Sequence, residues 1–251
     1  MKVLGIDIGA SGVKGAVVDT HSGEMISERL RIPTPTPSTP DAVAATVKEL
    51  AGQLNWKDGL IGVGFPAIVK RGTALSAANV DKSWIGTSIT ESLSKSTNCP
   101  VIAVNDADAA GIAAMEFGAG KGEQGVVMLI TIGSGLGSAL FLDGELVPNT
   151  ELGHIRMEGM VAEHYASNNA RKKFDLDWEE WGTRFNKYLK HINRLFTPDL
   201  VLLGGGVSKK YDKYEKYITV KMNVKAAELK NDAGIIGAAC HAERKMRRKK
   251  S

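Results

Sequence analysis

The chain has 251 residues, of which 43% are hydrophobic and 24% are charged, a composition typical of an ordinary globular protein. No segment approaches the roughly 20 apolar residues of a membrane span, and the N-terminus reads as a strand rather than a signal sequence. We therefore expect a cytoplasmic protein with no membrane partner. Its two cysteines, Cys99 and Cys240, are isolated, which excludes a paired-cysteine motif and favours small buried side chains.

The net charge of +4 is unevenly distributed along the chain. Six basic residues and no acid lie between Arg244 and Lys250, so the remaining 26 Lys and Arg face 28 Asp and Glu. A terminal run of this kind is typical of a solvated chain end. We expect no nucleic-acid partner.

Strand patterns alternate with one helical pattern in the first half of the chain. The helix is predicted at Asp41–Leu54, after Pro40, with Asp41 as its N-cap. The predicted strands are Val3–Asp7, Val13–Asp19, Met25–Ile32, Leu60–Phe65 and Val101–Val104. This mixture predicts an α/β lobe.

The second half repeats the pattern with which the chain begins, which is a strand followed by a glycine-rich turn and a second, returning strand. Here Val126–Ile132 and Ser138–Leu142 flank the turn Gly133–Gly137. The repeat predicts two lobes of related fold with a cleft between them. Further elements are expected at Ala107–Phe117, Val161–Lys172, Trp178–Leu195, Leu200–Leu203 and Ala233–Arg247, the last a helix whose small residues Gly234, Gly237, Ala238 and Ala239 favour close packing.

Three glycine turns follow apolar strands, at Gly9–Gly12, Gly133–Gly137 and Gly204–Gly206. Glycine lets backbone N–H groups approach an anion closely. The Ser11 hydroxyl and the Lys14 ammonium can reach phosphoryl oxygens, and Asp7 can hold a Mg²⁺ shell. None of the turns matches the P-loop or the dinucleotide fingerprint. A single such turn is equally compatible with an ordinary hairpin.

Two further pairs of polar residues are candidates for a functional site. Asn105 and Asp106 end an apolar strand, where a carboxylate can accept a hydroxyl proton, although both residue types also cap helices. Glu151 and His154 offer hydrogen-bond groups suited to a polyhydroxylated ligand, although such a pair is as often surface decoration.

With these motifs in this order, the sequence resembles the ROK family of bacterial sugar kinases over nearly its whole length. The resemblance implies the two-lobed, ribonuclease H-like α/β fold of actin and hexokinase, with an interlobe cleft. It further implies a small N-terminal lobe of residues 1–107 plus 235–251, because the last helix of the family returns there, and a large lobe of residues 108–234.

The resemblance also implies roles for the motif residues. Asp106 would be the catalytic base for the sugar 6-hydroxyl, Asn105, Glu151 and His154 would bind sugar hydroxyls, and Asp7 would serve Mg²⁺, through water. Phosphate groups would be held by Gly9, Ala10, Ser11, Gly12, Lys14, Thr131, Gly133, Ser134, Gly135, Gly204, Gly205, Gly206, Lys209 and Lys210.

Within the family the sequence looks like the branch in which inorganic polyphosphate, with or without ATP as an alternative donor, phosphorylates glucose. Residues 155–167 contain no cysteine, where many members carry a zinc cluster, so we expect no zinc site. The branch implies that Asn79 and Asp81 lie near the sugar and that Glu163 is a further sugar ligand.

A polyphosphate chain requires a row of cations, whereas ATP requires an adenine pocket. The candidate cations are Lys70, Arg71, Lys82, Lys121, Lys209 and Lys210, each of which is equally compatible with a solvated side chain. The alternatives are an ATP-dependent glucokinase or mannose kinase, and a sugar-binding ROK regulator. The regulator would need a DNA-binding segment before the first hairpin, which begins at residue 3. We expect a homodimer by family habit.

Overall fold

The computed structural model describes residues 1–227 and 232–248. The described residues form two compact units, one of residues 1–113 with 232–248 and one of residues 114–227. The first stretch of chain holds β1 (Lys2–Gly9), β2 (Gly12–Asp19), β3 (Glu24–Met25), β4 (Leu30–Ile32), α1 (Pro40–Gln53), β5 (Ile61–Phe65), β6 (Val69–Lys70), β7 (Thr73–Ala74), α2 (Ile89–Thr97), β8 (Val101–Asn105) and α3 (Asp106–Phe117).

The second stretch is richer in short elements and ends with the helix that rejoins the first unit. It holds β9 (Val126–Ile132), β10 (Leu136–Leu142), β11 (Glu145–Val147), β12 (Arg156–Met157), β13 (Met160–Val161), α4 (Ala162–Ala166), α5 (Asn168–Lys173), α6 (Trp178–Phe196), β14 (Leu200–Gly204), β15 (Val224–Ala226) and α7 (Ala233–Arg248). Short 3₁₀ helices lie at Lys82–Trp84, Leu152–His154, Ser208–Lys213 and Glu215–Tyr217.

Each unit is built on one main sheet, and the two sheets share a layout. In the first unit the strand order is β3-β2-β1-β5-β8, with β4 also paired to β2. In the second it is β11-β10-β9-β14-β15. An antiparallel hairpin, β1 with β2 or β9 with β10, is followed in each sheet by two strands parallel to its first strand. The predicted repetition of a hairpin unit is therefore present in the topology.

The central strands of both sheets are mostly buried and apolar, as expected where helices cover the faces of a sheet. In the first unit Ile6, Val63 and Val101 belong to a core that extends to α1 and α2. In the second unit the core joins β9 and β14 to α6, whose Trp181 and Phe185 rings stack at a centroid separation of 5.1 Å.

The small residues of α7 allow it to lie directly on the first sheet. A Cβ at Gly5 would come within 2.2 Å of the Ile235 carbonyl oxygen, and one at Gly62 within 2.0 Å of the Ala238 oxygen. On the helix itself, a Cβ at Gly237 would lie 1.7 Å from the Ala109 oxygen of α3. The predicted close packing of this helix face is confirmed.

Several predicted element boundaries were wrong. The N-cap of α1 is Thr39, whose hydroxyl accepts from the Ala42 N–H, and Asp41 lies in the first turn. Proline is well suited to begin a helix because its φ is fixed and it lacks an N–H that would be unsatisfied there, so α1 starts at Pro40. The predicted turn at Gly133–Gly137 is shorter, because β10 begins at Leu136.

Two predicted elements are interrupted. The strand expected at Met25–Ile32 is split into β3 and β4, and the Ser27 hydroxyl between them accepts from the Val17 N–H of β2. The helix expected over residues 161–172 is divided into α4 and α5 by Ser167, which has an extended backbone and caps α5 through the Ala170 N–H. A serine that bonds the following backbone favours a new helix start over continuation.

The side chains of Cys99 and Cys240 are buried, as predicted. No helix in residues 1–227 and 232–248 is long and apolar enough to cross a membrane. Of the basic run at the C-terminus, Arg244 to Arg248 belong to α7, and Lys249 and Lys250 lie outside the described residues.

Substitution of Gly237 by alanine tests the packing of α7. We expect Gly237→Ala to lower the free energy of unfolding by about 1–3 kcal/mol or more, because the new methyl group must displace the backbone of α3. Gly52→Ala is the matched control, since it also lies in a helix but a Cβ there meets nothing within 4 Å. Chemical denaturation should leave that control neutral or slightly more stable. Equal stabilities of the two variants would contradict the packing.

Candidate functional site

The carboxyl ends of three parallel strands bring together the polar residues of the first unit. Asp7 of β1 is in register with Gly64 of β5, and Gly64 is in register with Val104 of β8. A Cβ at Gly64 would lie 3.7 Å from both the Asp106 Cα and the Ile6 carbonyl oxygen. Gly64 therefore lies in ordinary van der Waals range of both the start of α3 and the end of β1.

Asp7 is held by two positive features of the first unit. The Lys14 Nζ donates to Asp7 Oδ2 at 3.0 Å across the β1–β2 hairpin, where the two residues are paired. The N-terminal turn of α7 approaches the same carboxylate, since a Cβ at Gly234 would lie 3.0 Å from Asp7 Cγ. The N-terminus of a helix carries partial positive charge, so both neighbours place positive charge beside the Asp7 carboxylate.

The first glycine turn is tighter than expected, because Gly9 ends β1 and Gly12 begins β2, leaving Ala10 and Ser11 as the turn. The Thr34 hydroxyl donates to the Gly9 carbonyl oxygen. This bond ties the turn to the segment that follows β4.

Arg31 is a site residue that sequence reasoning missed. Its Nη2 donates to the Ser11 carbonyl oxygen at 2.7 Å, and a Cβ at Gly12 would lie 2.6 Å from its Nε. It is paired with Lys14 across β2 and β4. An exposed guanidinium beside a turn flanked by glycines has the planar donors that suit phosphate. The sequence shows only that Arg31 is charged. The pairing of β2 with β4, which brings Arg31 to the turn, is a non-local contact that local sequence patterns do not reveal.

Asn105 and Asp106 are at the junction of β8 and α3. The Asn105 Oδ1 accepts from the Asp108 N–H at 3.0 Å, and its Nδ2 donates to the Ala67 carbonyl oxygen at 3.0 Å. Asn105 is thus a helix cap, the alternative that its sequence position left open. It is buried, with 6% of its surface exposed. It fixes the start of α3, and therefore the backbone of Asp106.

Asn79 and Asp81 lie together on the segment before the 3₁₀ helix at Lys82–Trp84. Asn79 is exposed. The Asp81 carboxylate caps that 3₁₀ helix by accepting from the Ser83 hydroxyl and the Ser83 N–H, and these bonds lower the pKa of Asp81. The Asp81 N–H in turn donates to the Ser38 hydroxyl at 3.1 Å. The carboxylate therefore has a structural role, and its predicted role near the sugar stays a prediction.

In the second unit the three predicted sugar ligands form a connected group. His154 Nδ1 lies 3.2 Å from Glu151 Oε2, and His154 Nε2 lies 3.8 Å from Glu163 Oε1. A Cβ at Gly135 would meet Glu163 Oε2. The group thus borders the second glycine turn. Ser138 of β10 positions the loop through its hydroxyl, which donates to the Thr150 carbonyl oxygen and accepts from the Leu152 N–H.

The second and third glycine turns are adjacent. Gly204 of β14 is in register with Thr131 of β9. Gly205 has a φ of +78°, and a Cβ there would lie 2.6 Å from the Ile132 oxygen. The Ser208 hydroxyl donates to the Gly205 oxygen at 2.8 Å, which closes the third turn. Two turns of the second unit therefore present backbone groups at one edge of its sheet.

The predicted row of cations is divided between the two units. Lys70, Arg71 and Lys82 are exposed residues of the first unit, while Lys121, Lys209 and Lys210 are exposed residues of the second. Lys210 Nζ lies over the Trp178 ring, 5.6 Å from its centroid.

The Asp7 carboxylate is compatible with a magnesium ion that takes its other ligands from phosphate and water, but not with a metal site made of protein ligands alone. Within residues 1–227 and 232–248, no group of three His, Cys, Asp or Glu side chains is arranged to hold a metal ion. Mg²⁺ in phosphoryl-transfer sites is commonly bound by one or two carboxylates, with phosphate oxygens and water as the other ligands. A single carboxylate beside a phosphate-sized turn fits that pattern.

Comparison with known proteins decides the family. The model of the ROK family matches residues 3–174. The chain belongs to the ROK family. It is 42% identical over 237 residues to the polyphosphate glucokinase of Mycobacterium tuberculosis, a match that covers 94% of this chain and 89% of that protein. The polyphosphate glucokinase of Mycobacterium leprae is 41% identical, over 94% of this chain and 73% of that protein.

Solved structures agree with this family assignment. The inorganic polyphosphate/ATP-glucomannokinase from Arthrobacter sp. strain KM matches with a TM-score of 0.94 and 43% identity, over 97% of this chain and 99% of that chain. A ROK family glucokinase from Streptomyces griseus matches with a TM-score of 0.81 at 24% identity, over 97% of this chain and 100% of that chain, and supports the fold alone. The predicted actin and hexokinase type of fold is confirmed.

Replacement of Arg31 tests whether the first turn binds anions. We expect Arg31→Ala to raise the Kd for inorganic tripolyphosphate about tenfold, because a hydrogen bond to a charged group contributes roughly 1.5 kcal/mol. Isothermal titration calorimetry is the measurement. Arg29→Ala is the matched control, since Arg29 is an exposed arginine that pairs with Asp232 at 2.9 Å. The same Kd for both variants would rule out Arg31 as an anion ligand.

Proposed function

We propose that this chain is a polyphosphate-dependent glucokinase. It transfers the terminal phosphoryl group of inorganic polyphosphate to the 6-hydroxyl of glucose. The observation that carries this proposal is the identity of 42–43% with a polyphosphate glucokinase and a polyphosphate/ATP-glucomannokinase, over nearly the whole chain. The arrangement of acids, glycine turns and cations in each unit is consistent with that chemistry.

Asp106 is the proposed base. Its position at the first turn of α3, directly after the buried cap Asn105, gives it a fixed backbone. A carboxylate there takes the proton of the 6-hydroxyl as the oxygen of that hydroxyl attacks phosphorus. The new phosphorus–oxygen bond forms as the bond to the rest of the donor breaks, so the polyphosphate leaves one unit shorter.

Asn105, Glu151, His154 and Glu163 are the proposed sugar ligands. Each sugar hydroxyl both donates and accepts a hydrogen bond, and a linked set of carboxylates and an imidazole satisfies both requirements. The contacts of His154 with Glu151 and Glu163 support this role because they pre-order three side chains before any ligand arrives. Asn79 and Asp81 complete the proposed sugar set.

The donor phosphates are assigned to the three glycine turns. Backbone N–H groups at Gly9–Gly12, Gly133–Gly135 and Gly204–Gly206 neutralise phosphoryl charge without bulky side chains in the way. Lys14 and Arg31 add two cations at the first turn, and Lys209 and Lys210 follow the third turn.

Magnesium is the proposed metal, with Asp7 as its protein ligand through water. When bound to the donor, the ion would offset the charge of the phosphate oxygens. Lys14 orients the Asp7 carboxylate by the 3.0 Å contact already described. Exclusion of water from the transferred phosphoryl group would prevent its hydrolysis.

ATP is a second candidate donor, because the Arthrobacter relative is described as using polyphosphate or ATP and as a glucomannokinase. Mannose is by the same reasoning a second candidate acceptor. The homodimer remains a prediction.

The proposal is tested by measuring glucose 6-phosphate production with Mg²⁺, glucose and a single donor. We expect kcat/KM to be higher with long-chain polyphosphate than with ATP. Turnover with ATP alone would contradict the proposed donor and support an ATP-dependent glucokinase.

The matched negative control for that assay is Asp106→Asn. Loss of a positioned general base typically costs 10²–10⁴ in rate, so we expect kcat to fall by about that factor with either donor. Calorimetric titration should show nearly unchanged glucose binding. A variant with near-normal kcat would show that Asp106 is not the base.

A further inference from the structure

A cluster of cations on aromatic rings in the second unit extends from Lys210, one of the proposed phosphate ligands, to residues that belong to none of the proposed sugar or glycine-turn sites. It is formed by the end of α5, the N-terminal half of α6 and the 3₁₀ helix at Ser208–Lys213. We call it the cation–aromatic surface, and its members are Arg171, Lys173, Phe174, Trp178, Arg184 and Lys210.

Two rings of this surface each carry two cations. Over Trp178, the Arg171 Cζ is 4.5 Å and the Lys210 Nζ is 5.6 Å from the ring centroid. Over Phe174, the Arg184 Cζ is 4.9 Å and the Lys173 Nζ is 5.6 Å from the centroid. Two cations near one ring concentrate positive charge, which attracts an anion.

The geometry of the surface is held by the core beneath it. Trp178 stacks on Tyr214 at a centroid separation of 6.0 Å and meets Trp181 edge-on at 5.8 Å. Arg171 Nη1 donates to the Leu176 carbonyl oxygen at 3.1 Å, and Arg184 also lies 5.0 Å from the centroid of Tyr165. Cations that are already ordered lose less conformational entropy when they bind a ligand.

The positive charge of the surface is not neutralised by ion pairs. Across residues 1–227 and 232–248, none of its four cations forms a salt bridge with a carboxylate. Three neighbouring acids are engaged elsewhere, since Asp177 and Glu180 form the capping box of α6 and Glu179 accepts from the Tyr217 hydroxyl. Residues 171–190 and 208–217 together contain ten Lys and Arg against six Asp and Glu.

Lys210 connects the surface to the third glycine turn. It follows that turn in the sequence, on the 3₁₀ helix at Ser208–Lys213, and its Nζ lies over the Trp178 ring. We propose that the cation–aromatic surface binds the distal part of a polyphosphate chain whose reacting end lies at the glycine turns. This inference rests on the proposed function and deepens it, since it names how a long donor differs from a short one.

The aromatic rings distinguish polyphosphate from a single-stranded nucleic acid. Nucleic-acid surfaces leave aromatic faces open so that bases can stack on them. Here Phe174 and Trp178 each have two of the protein's own cations within 5.6 Å of the ring centroid. A ligand of repeated phosphates without bases matches this surface because it uses the charge of the cations and does not require stacking on the rings.

The test is the double variant Lys173→Gln/Arg184→Gln, which changes neither a glycine turn nor a proposed sugar ligand. The control is Lys48→Gln/Lys95→Gln, which removes the same charge from exposed positions of the first unit. Calorimetric Kd values are measured for tripolyphosphate and for long-chain polyphosphate, and KM values are measured for glucose and both donors.

We expect the first variant to raise both the Kd and the KM for long-chain polyphosphate about tenfold, while the values for tripolyphosphate and glucose stay unchanged. The control should behave like the unmodified protein. The proposal is overturned if the two variants bind long chains equally well, or if single-stranded RNA displaces polyphosphate and loses affinity in the same variant.

The binding arm separates this proposal from the proposed function. If tighter binding of long chains is lost in the first variant, the cation–aromatic surface is supported. This holds even if only ATP supports turnover, a result that would contradict polyphosphate as the donor but not the binding surface. Suppose instead that polyphosphate supports turnover, but that the Kd depends on chain length equally in the unmodified protein and in both double variants. That result refutes the cation–aromatic surface and leaves the proposed function intact.

Discussion

Parallel pairing of buried strands brings candidate site residues of the first unit, and two glycine turns of the second unit, to one edge of the respective sheet. In the first unit β1, β5 and β8 end in register, so Asp7, the first turn and Asp106 share an edge. In the second unit β9 and β14 do the same for two glycine turns. Glycine at Gly205 permits a close approach in the second unit, since a Cβ there would lie 2.6 Å from the Ile132 carbonyl oxygen. Burial of the strands thus serves both stability and the site.

Each unit supplies a different part of the proposed chemistry. The first contributes the carboxylate of Asp106 and a turn bordered by Lys14 and Arg31. The second contributes the linked Glu151, His154 and Glu163, two glycine turns and an ordered set of cations on aromatic rings. In phosphoryl transfer, positioning of the reactants and stabilisation of charge supply most of the rate enhancement, and covalent catalysis by the protein supplies little. The groups named above are suited to positioning and charge stabilisation.

Local signals predicted most of the fold, and non-local contacts account for most of what was missed. Apolar periodicity and glycine turns located the two hairpins and the long helices because those signals lie within short windows of sequence. Ser167 interrupts a helix only because its hydroxyl caps the next one. Arg31 reaches the first turn through the pairing of β2 and β4, and no spacing in the sequence reveals that register. Asn105 illustrates a third case, in which two roles were open and the structure supplies hydrogen bonds for the cap.

The most direct test of the account is a crystal structure of the protein with glucose bound. We expect the 6-hydroxyl to lie within hydrogen-bond distance of the Asp106 carboxylate and Glu151, His154 and Glu163 to contact other hydroxyls of the same sugar. Glucose bound without any contact to Asp106, or a 6-hydroxyl directed away from it, would contradict the proposed base and the assignment of sugar ligands to both units.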